Sequence, residues 1–150
     1  FLGYRLLRGG RLGIAPQSLK RAKERVRDIT RRNRGHVTFK QMVEELNNFL
    51  NGWVLYFRYA ECKKQLHRLG AWIRRKLRCI ALKRLKRAMT IARFLRRLGV
   101  PAERVWVLAG SGKSWWRMAG SPGANEAMSL QWFTKHGLIN PVHKYQALRT

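Results

Sequence analysis

Apolar residues recur along most of this chain at spacings of three and four, the signature of helices that bury one face. Leu19, Ala22, Val26 and Ile29 form a narrow apolar stripe after Pro16, with Ser18 as N-cap and Gly35 as the stop of a first predicted helix. Thr38 caps a second, whose stripe reads Phe39, Met42, Val43, Leu46, Leu50, Trp53 and Phe57. A third helix is expected from about Lys64 to Ala88, burying Leu66, Leu69, Ile73, Leu77, Ile80 and Ala81. Beyond Thr90 the pattern weakens into short helices over Ile91 to Leu98, through Trp106 and Leu108, and from about Ala124 to His136, which leads into Leu138, Pro141 and Tyr145. No internal repeat is visible. Ahead of the helices, Phe1 to Ile14 alternates apolar and basic residues among Gly3, Gly9, Gly10 and Gly13, which suits a short strand or hairpin. The expected fold is mainly α: a short N-terminal β-strand or hairpin (1–15), a three-helix bundle (16–89), and a smaller helical C-terminal appendage (90–150) packed by its tryptophans.

Charge changes the picture most. Thirty-three Lys and Arg face seven acids, a net +26, while 45% of the 150 residues are apolar and 11% aromatic. That apolar content opposes disorder, and so much positive charge repels itself in a compact fold unless a polyanion neutralises it. Nucleic acid is the commonest such partner; an acidic membrane surface is the competitor. The charge is uneven. It crowds the first helix (Lys20, Arg21, Lys23, Arg25, Arg27) and its end (Arg31, Arg32, Arg34), nearly vanishes from the second, where only Lys40 and Arg58 lie between Thr38 and Ala60, and returns on the third. At about 100° per residue, Lys64, Arg68, Arg75 and Lys86 share the side opposite the apolar stripe, a ridge able to follow a phosphate backbone or else a merely solvated face. Tyr56 and Tyr59 lie off the second stripe and are candidates for contact with unpaired bases, whereas Trp53 and Phe57 fall on it and read as packing. Gly52 inside that helix costs about 1 kcal/mol relative to alanine, and close approach of another helix or of RNA backbone would offset it. Candidate RNA-binding residues are therefore Lys20, Arg21, Arg25, Arg31, Arg32, Arg34, Tyr56, Arg58, Tyr59, Lys64, Arg68, Arg75 and Lys86.

Several chemistries find no support. The longest uncharged stretch, Leu46 to Phe57, is shorter than the roughly 18 to 20 apolar residues of a membrane span, and no secretory signal is visible. Cys62 and Cys79 stand alone, which points to a reducing compartment, with the cytoplasm as default. The run Gly110-Ser111-Gly112-Lys113-Ser114 ends like a phosphate-binding loop, but the first glycine of that motif falls on Val107. His36, His67, His136 and His143 lie far apart, and Glu44 and Glu45 point different ways on one helix, so neither a metal centre nor a catalytic carboxylate pair assembles. The chain opens on Phe1, with its first methionine at Met42, and is expected to be a processed chain or part of a longer protein.

Phe1-Leu2-Gly3-Tyr4, the run Ser18 to Val26, Asn47 to Arg58 with its Leu50-x-Gly52-Trp53-x-x-Tyr56-Phe57-Arg58 core, and Trp72 to Arg78 together resemble the maturase region of group II intron-encoded reverse transcriptases. The later Gly-Ser-Gly, Trp-Arg-Met-Ala and Trp132-Phe133 segments resemble the tails of bacterial members, so the likeness covers nearly the whole chain. It implies that Phe1 to Tyr4 closes a polymerase palm and that the three-helix bundle is the thumb, or domain X. It further implies binding of group II intron RNA to assist folding and splicing, with primer-template duplex, target DNA and an upstream palm as further partners. The palm's aspartate pair is absent, since Asp28 is the single aspartate, and no His-Asn-His nuclease follows. No cofactor is expected in this chain; Mg²⁺ would belong to the palm and to the RNA. The alternative expectation is a thumb segment of a working RNA-directed DNA polymerase, and a third is a general basic nucleic-acid or ribosome-associated protein.

Overall fold

A computed structural model describes residues 2–31 and 34–149. The described residues are mainly helical, with one small hairpin, as the periodicity predicts. In that hairpin β1 (Tyr4–Leu6) pairs antiparallel with β2 (Leu12–Ile14), Tyr4 facing Ile14 and Leu6 facing Leu12. Gly3 holds φ at 89°, and a β-carbon on it would lie 2.7 Å from the Ser18 hydroxyl and 3.1 Å from the Phe57 ring. Only glycine satisfies both the backbone and the close approach.

Pro16 occupies the first turn of α1 (Pro16–Ile29), where its missing N–H costs nothing. Ser18 is not the N-cap. It lies inside the helix, buried, and its hydroxyl donates to the Gly3 carbonyl at 2.9 Å, tying the helix to the strand. The helix also stops before Gly35: Thr30 forms its C-cap, donating both its N–H and its hydroxyl to the Val26 carbonyl. In α2 (Phe39–Tyr56) Thr38 and Gln41 form a reciprocal capping box, and Met42, Val43, Leu46, Leu50 and Val54 are buried. The third helix, α3, runs Lys63–Leu85; Lys86 turns the chain out of it at a φ of 63°, so the helix ends earlier than its pattern suggests. Along it Leu82 is buried, whereas Ile80 and Ala81 are only half-buried.

The chain forms two compact units, Phe1–Trp72 with Gly137–Thr150, and Ile73–His136. In the first, Ile14, Val54, Phe57, Ala60, Cys62, Leu66 and Tyr145 form a buried cluster, against which Tyr4, Leu19, Trp53, Val142 and Leu148 pack. A closing helix, Pro141–Arg149, packs against α2. The Tyr145 hydroxyl and Arg149 Nη1 both donate to the Ala60 carbonyl, and the Asn47 amide donates to Gly137 O at 2.7 Å while accepting from Ile139 N at 2.9 Å. The chain's end thus folds with its beginning, a grouping different from the continuous appendage over 90–150. Its apolar positions are too few to signal a helix in the sequence.

The second unit contains the rest of α3 followed by α4 (Ala88–Arg97), α5 (Ala102–Ala109), α6 (Trp115–Ala119), α7 (Pro122–Ala127) and α8 (Leu130–Lys135), which makes the closing helix α9. Ser114, Ser121 and Ser129 cap α6, α7 and α8 in turn, each accepting an N–H from three residues on. Ser129 divides what the spacing reads as one helix over 124–136. The buried side chains are mostly aliphatic or Met (Leu77, Leu82, Ile91, Leu95, Val105, Leu108, Met118, Met128), joined by Phe133, whereas Trp106 and Trp116 are exposed. The tryptophans do not make this core.

Candidate nucleic-acid interface

On α1 the buried stripe is Ser18, Ala22, Val26 and Ile29, so Lys20, Arg21, Lys23, Arg25 and Arg27 all face solvent. Ion pairs among the described residues join Arg11 to Glu61, Arg34 to Glu45 and Arg104 to Glu126, and none involves an α1 cation. Of these cations Arg25 has its charge felt at a carboxylate, that of Glu45, and it forms no ion pair with it. The two flanks of α1 differ. On one, Lys23 Nζ and the Arg27 guanidinium lie 5.6 and 5.4 Å from the centre of the Trp72 ring, a cation–π arrangement. On the other, Arg21 lines a cavity of about 390 Å³ together with Phe49, Trp53, Tyr56 and Phe57. A guanidinium beside several aromatic rings is chemistry suited to a phosphate and the base or ribose attached to it.

Arg21 and Tyr56 are thus brought together, across a space bordered by Trp53, a residue the sequence pattern assigns to packing alone. Tyr56 is half-exposed; its hydroxyl donates to the Leu2 carbonyl, and its own carbonyl accepts from Tyr4. Arg58 donates to Leu55 O at 2.7 Å and to the Tyr59 hydroxyl at 2.9 Å, with its guanidinium 4.4 Å from that ring's centre. Tyr59 is well exposed, and so are Lys64 and Arg68 in the first turns of α3.

Other candidates are committed elsewhere. Arg34, beyond the end of α1, grips both oxygens of Glu45 at 2.6 and 2.9 Å and also donates to Ile29 O at 2.9 Å. Hydrogen bonding to that guanidinium holds the Glu45 carboxyl below its usual range, and the nearby charge of Arg25 adds to the effect. Arg75 donates from Nε and Nη2 to Trp116 O at 3.2 and 2.9 Å and lies over the Trp116 ring, so it is a packed residue of the second unit and not an open ridge position. Lys86 lies past the helix end and leaves the helical register with Lys64 and Arg68. Arg31 is exposed but outside α1, and Arg32 lies outside the described residues. Gly52 is exposed, and a β-carbon on it would meet nothing within 4 Å, so no neighbouring helix explains it.

Lys23, Arg27 and Trp72 are not among the RNA-binding candidates taken from the sequence, although the four-residue spacing of the two cations signals a shared flank. Among the described residues no three His, Cys, Asp or Glu side chains converge as a possible metal site. No described helix is long and apolar enough to cross a membrane. Gly110 to Ser114 links two helices, with Ser114 capping the five-residue α6. Cys62 is buried and Cys79 half-buried, and burial pushes the Cys62 thiol up to about 11.

The family model described as group II intron, maturase-specific domain matches residues 19–99, more than half of the chain, taking in most of α1 and all of α2, α3 and α4. No curated protein matches the chain.

Proposed function

The chain belongs to the group II intron maturase family, and from that premise we propose that it binds group II intron RNA and steadies the fold in which the RNA splices. The observation that carries this reading is the face of α1, five exposed cations in no ion pair among the described residues, with Arg21 set beside an aromatic-lined cavity. Lys20, Arg21 and Arg25, joined by Lys64 and Arg68 of the same unit, would neutralise phosphates and release their counterions. Tyr56 and Tyr59 would contact bases that leave the helical stack. The chemistry of splicing would remain with the RNA and its own Mg²⁺, and this chain's part would be to bind and orient, in the reducing cytoplasm.

A second reading is supported by the hairpin. Leu2 and Leu6 are 88% and 61% exposed, and a two-stranded ribbon is marginal without a further strand or layer. Both features suit a hairpin that joins the sheet of a polymerase palm, with the helices after it gripping primer-template duplex.

Competition binding at about 150 mM salt, where purely electrostatic contacts are weakened, tests the first reading with an intron RNA, an unrelated folded RNA and duplex DNA. Intron RNA should win. Replacing Arg21, Arg25 and Arg68 together by Gln should flatten the salt dependence of intron affinity by about 2 to 3 in log–log slope, at roughly one phosphate contact each, while helical content stays constant. Unchanged affinity and slope would remove this surface from the interface. A preference for primer-template duplex over intron RNA would instead favour the second reading.

A further inference from the structure

The second unit contains a cavity of about 370 Å³ among α5, α6 and α7, near the lower end of the roughly 300–1,000 Å³ typical of small-ligand sites. Val107, Leu108, Met118 and Pro122 give it an apolar wall, and Lys113 and Arg117 add two cations. The remaining polar groups are already engaged. Arg104 is held by both oxygens of Glu126, at 2.9 and 2.6 Å; the Ser121 hydroxyl donates to Met118 O and accepts from Ala124 N; the Ser111 hydroxyl accepts from Lys113 N. What is left to recognise a ligand is an apolar wall with an ammonium and a guanidinium, neither in an ion pair among the described residues.

We infer that this cavity receives one unpaired nucleotide of a single strand, its base against Val107, Leu108, Met118 and Pro122 and its phosphate between Lys113 and Arg117. The apolar wall suits a flat base face, which is available only when the base has left the stack, and the two cations suit the one charge each nucleotide carries. A paired duplex presents phosphates without a free base, so it would engage the cations and leave the wall empty. The choice of nucleic acid as ligand rests on the RNA-binding reading above; the cavity itself lies beyond residues 19–99, which the family model covers.

The test uses the full chain and four probes: an RNA hairpin with a single bulged 2-aminopurine, the same hairpin fully paired, and the DNA versions of both. The bulged hairpin should bind about tenfold more tightly than the paired one, since apolar surface is buried only with an extruded base, and 2-aminopurine fluorescence should change on binding. Val107 is 76% exposed, so Val107→Glu should fold normally and remove most of that preference. Arg117→Gln should reduce it by about threefold, as expected for losing one charge-assisted contact. Arg96→Gln, the same loss of one positive charge at an exposed position of α4, should weaken bulged and paired probes alike. A preference for the RNA bulge alone assigns RNA as the source, and equal preference for both bulges assigns any single strand. Equal binding of bulged and paired probes, or a preference that survives both Val107→Glu and Arg117→Gln, overturns the inference. If that happens while intron RNA is still bound through α1, the cavity alone is refuted. If the bulge preference persists while intron RNA is not favoured, the maturase interface is refuted and the cavity stands.

Discussion

In the first compact unit, Arg21 and Arg25 stand exposed on α1 and in no ion pair among the described residues, whereas in the second Arg78 is only 7% exposed and donates Nε to the Met128 carbonyl at 2.8 Å. Its guanidinium also lies 5.3 Å from the centre of the Phe133 ring, and burial, aided by the charge of Arg74, pushes its pKa down to about 10. Arg75 is used in the same way: it donates to Trp116 O and rests on Gly120, where a β-carbon would lie 2.7 Å from the guanidinium. A cation can leave water only if acceptors replace the lost hydration, and the carbonyls of Met128 and Trp116 supply them in the second unit. One residue type is thus open to a polyanion along α1 and part of the internal scaffold at Arg75 and Arg78. The net +26 therefore overstates the charge a nucleic acid can use.

The sharpest way to break this contrast is to remove the buried guanidinium. Arg78→Ala should destabilise the second unit by about 2–4 kcal/mol, because it leaves the Met128 carbonyl without its donor and opens a cavity beside Phe133. Arg21→Ala should change stability by no more than about 0.5 kcal/mol, as exposed positions usually do. Urea unfolding followed by circular dichroism measures both. Similar stability losses for the two variants would show that the contrast has no energetic content.

Each unit also carries one cysteine, which allows the two to be followed separately. Cys62 belongs to the first, 1% exposed, with its thiol pushed up to about 11 by burial; Cys79 belongs to the second and is half-buried. At pH 8 a thiol with that pKa has about a hundredfold fewer thiolates than an ordinary one, and the thiolate is the form that reacts. Labelling with a thiol reagent in native buffer should therefore modify Cys79 first and reach Cys62 only as the first unit opens in denaturant. Fast modification of Cys62 without denaturant would show that the first unit's core opens readily.

How much of this was legible in the sequence follows the length of each pattern. The stripes of α1 and α2 span three or more turns, and the capping box at Thr38 has its own signature, so those elements read directly. The short helices α6 to α9 carry too few turns for a period to emerge, and the pairing of α9 with α2 depends on contacts about 90 residues apart in the chain. Ser18 shows a related limit: a serine after proline signals a cap, but here a tertiary acceptor, Gly3 O, claims the hydroxyl. In the candidate site, the exposure of α1's cations followed from the apolar stripe, while the engagement of Arg75 did not. Helical angle says which side a residue faces and nothing about a Trp116 carbonyl folded over that side.

The smallest expected effect concerns the first unit's own exception, Arg34, which is tied to Glu45 and Ile29 while the α1 arginines stay open. The Glu45 carboxyl titrates below its ordinary value when folded, chiefly through hydrogen bonding to Arg34. A carboxylate whose pKa is lowered by folding stabilises the native state above its unfolded pKa and loses that contribution as pH falls through the folded one. Glu45→Gln should therefore lower the melting temperature near pH 7 by about 2 °C, a small shift typical of a partly exposed pair. The gap from the unsubstituted protein should close as acid protonates Glu45, below the ordinary carboxylate range. The effect stays small because the Glu45 side chain is 40% exposed, leaving water to compete for its charge. Melting curves across the acid range decide it: a gap that stays constant with pH would mean that Glu45 acts through packing and that its charge contributes nothing to the hold on Arg34.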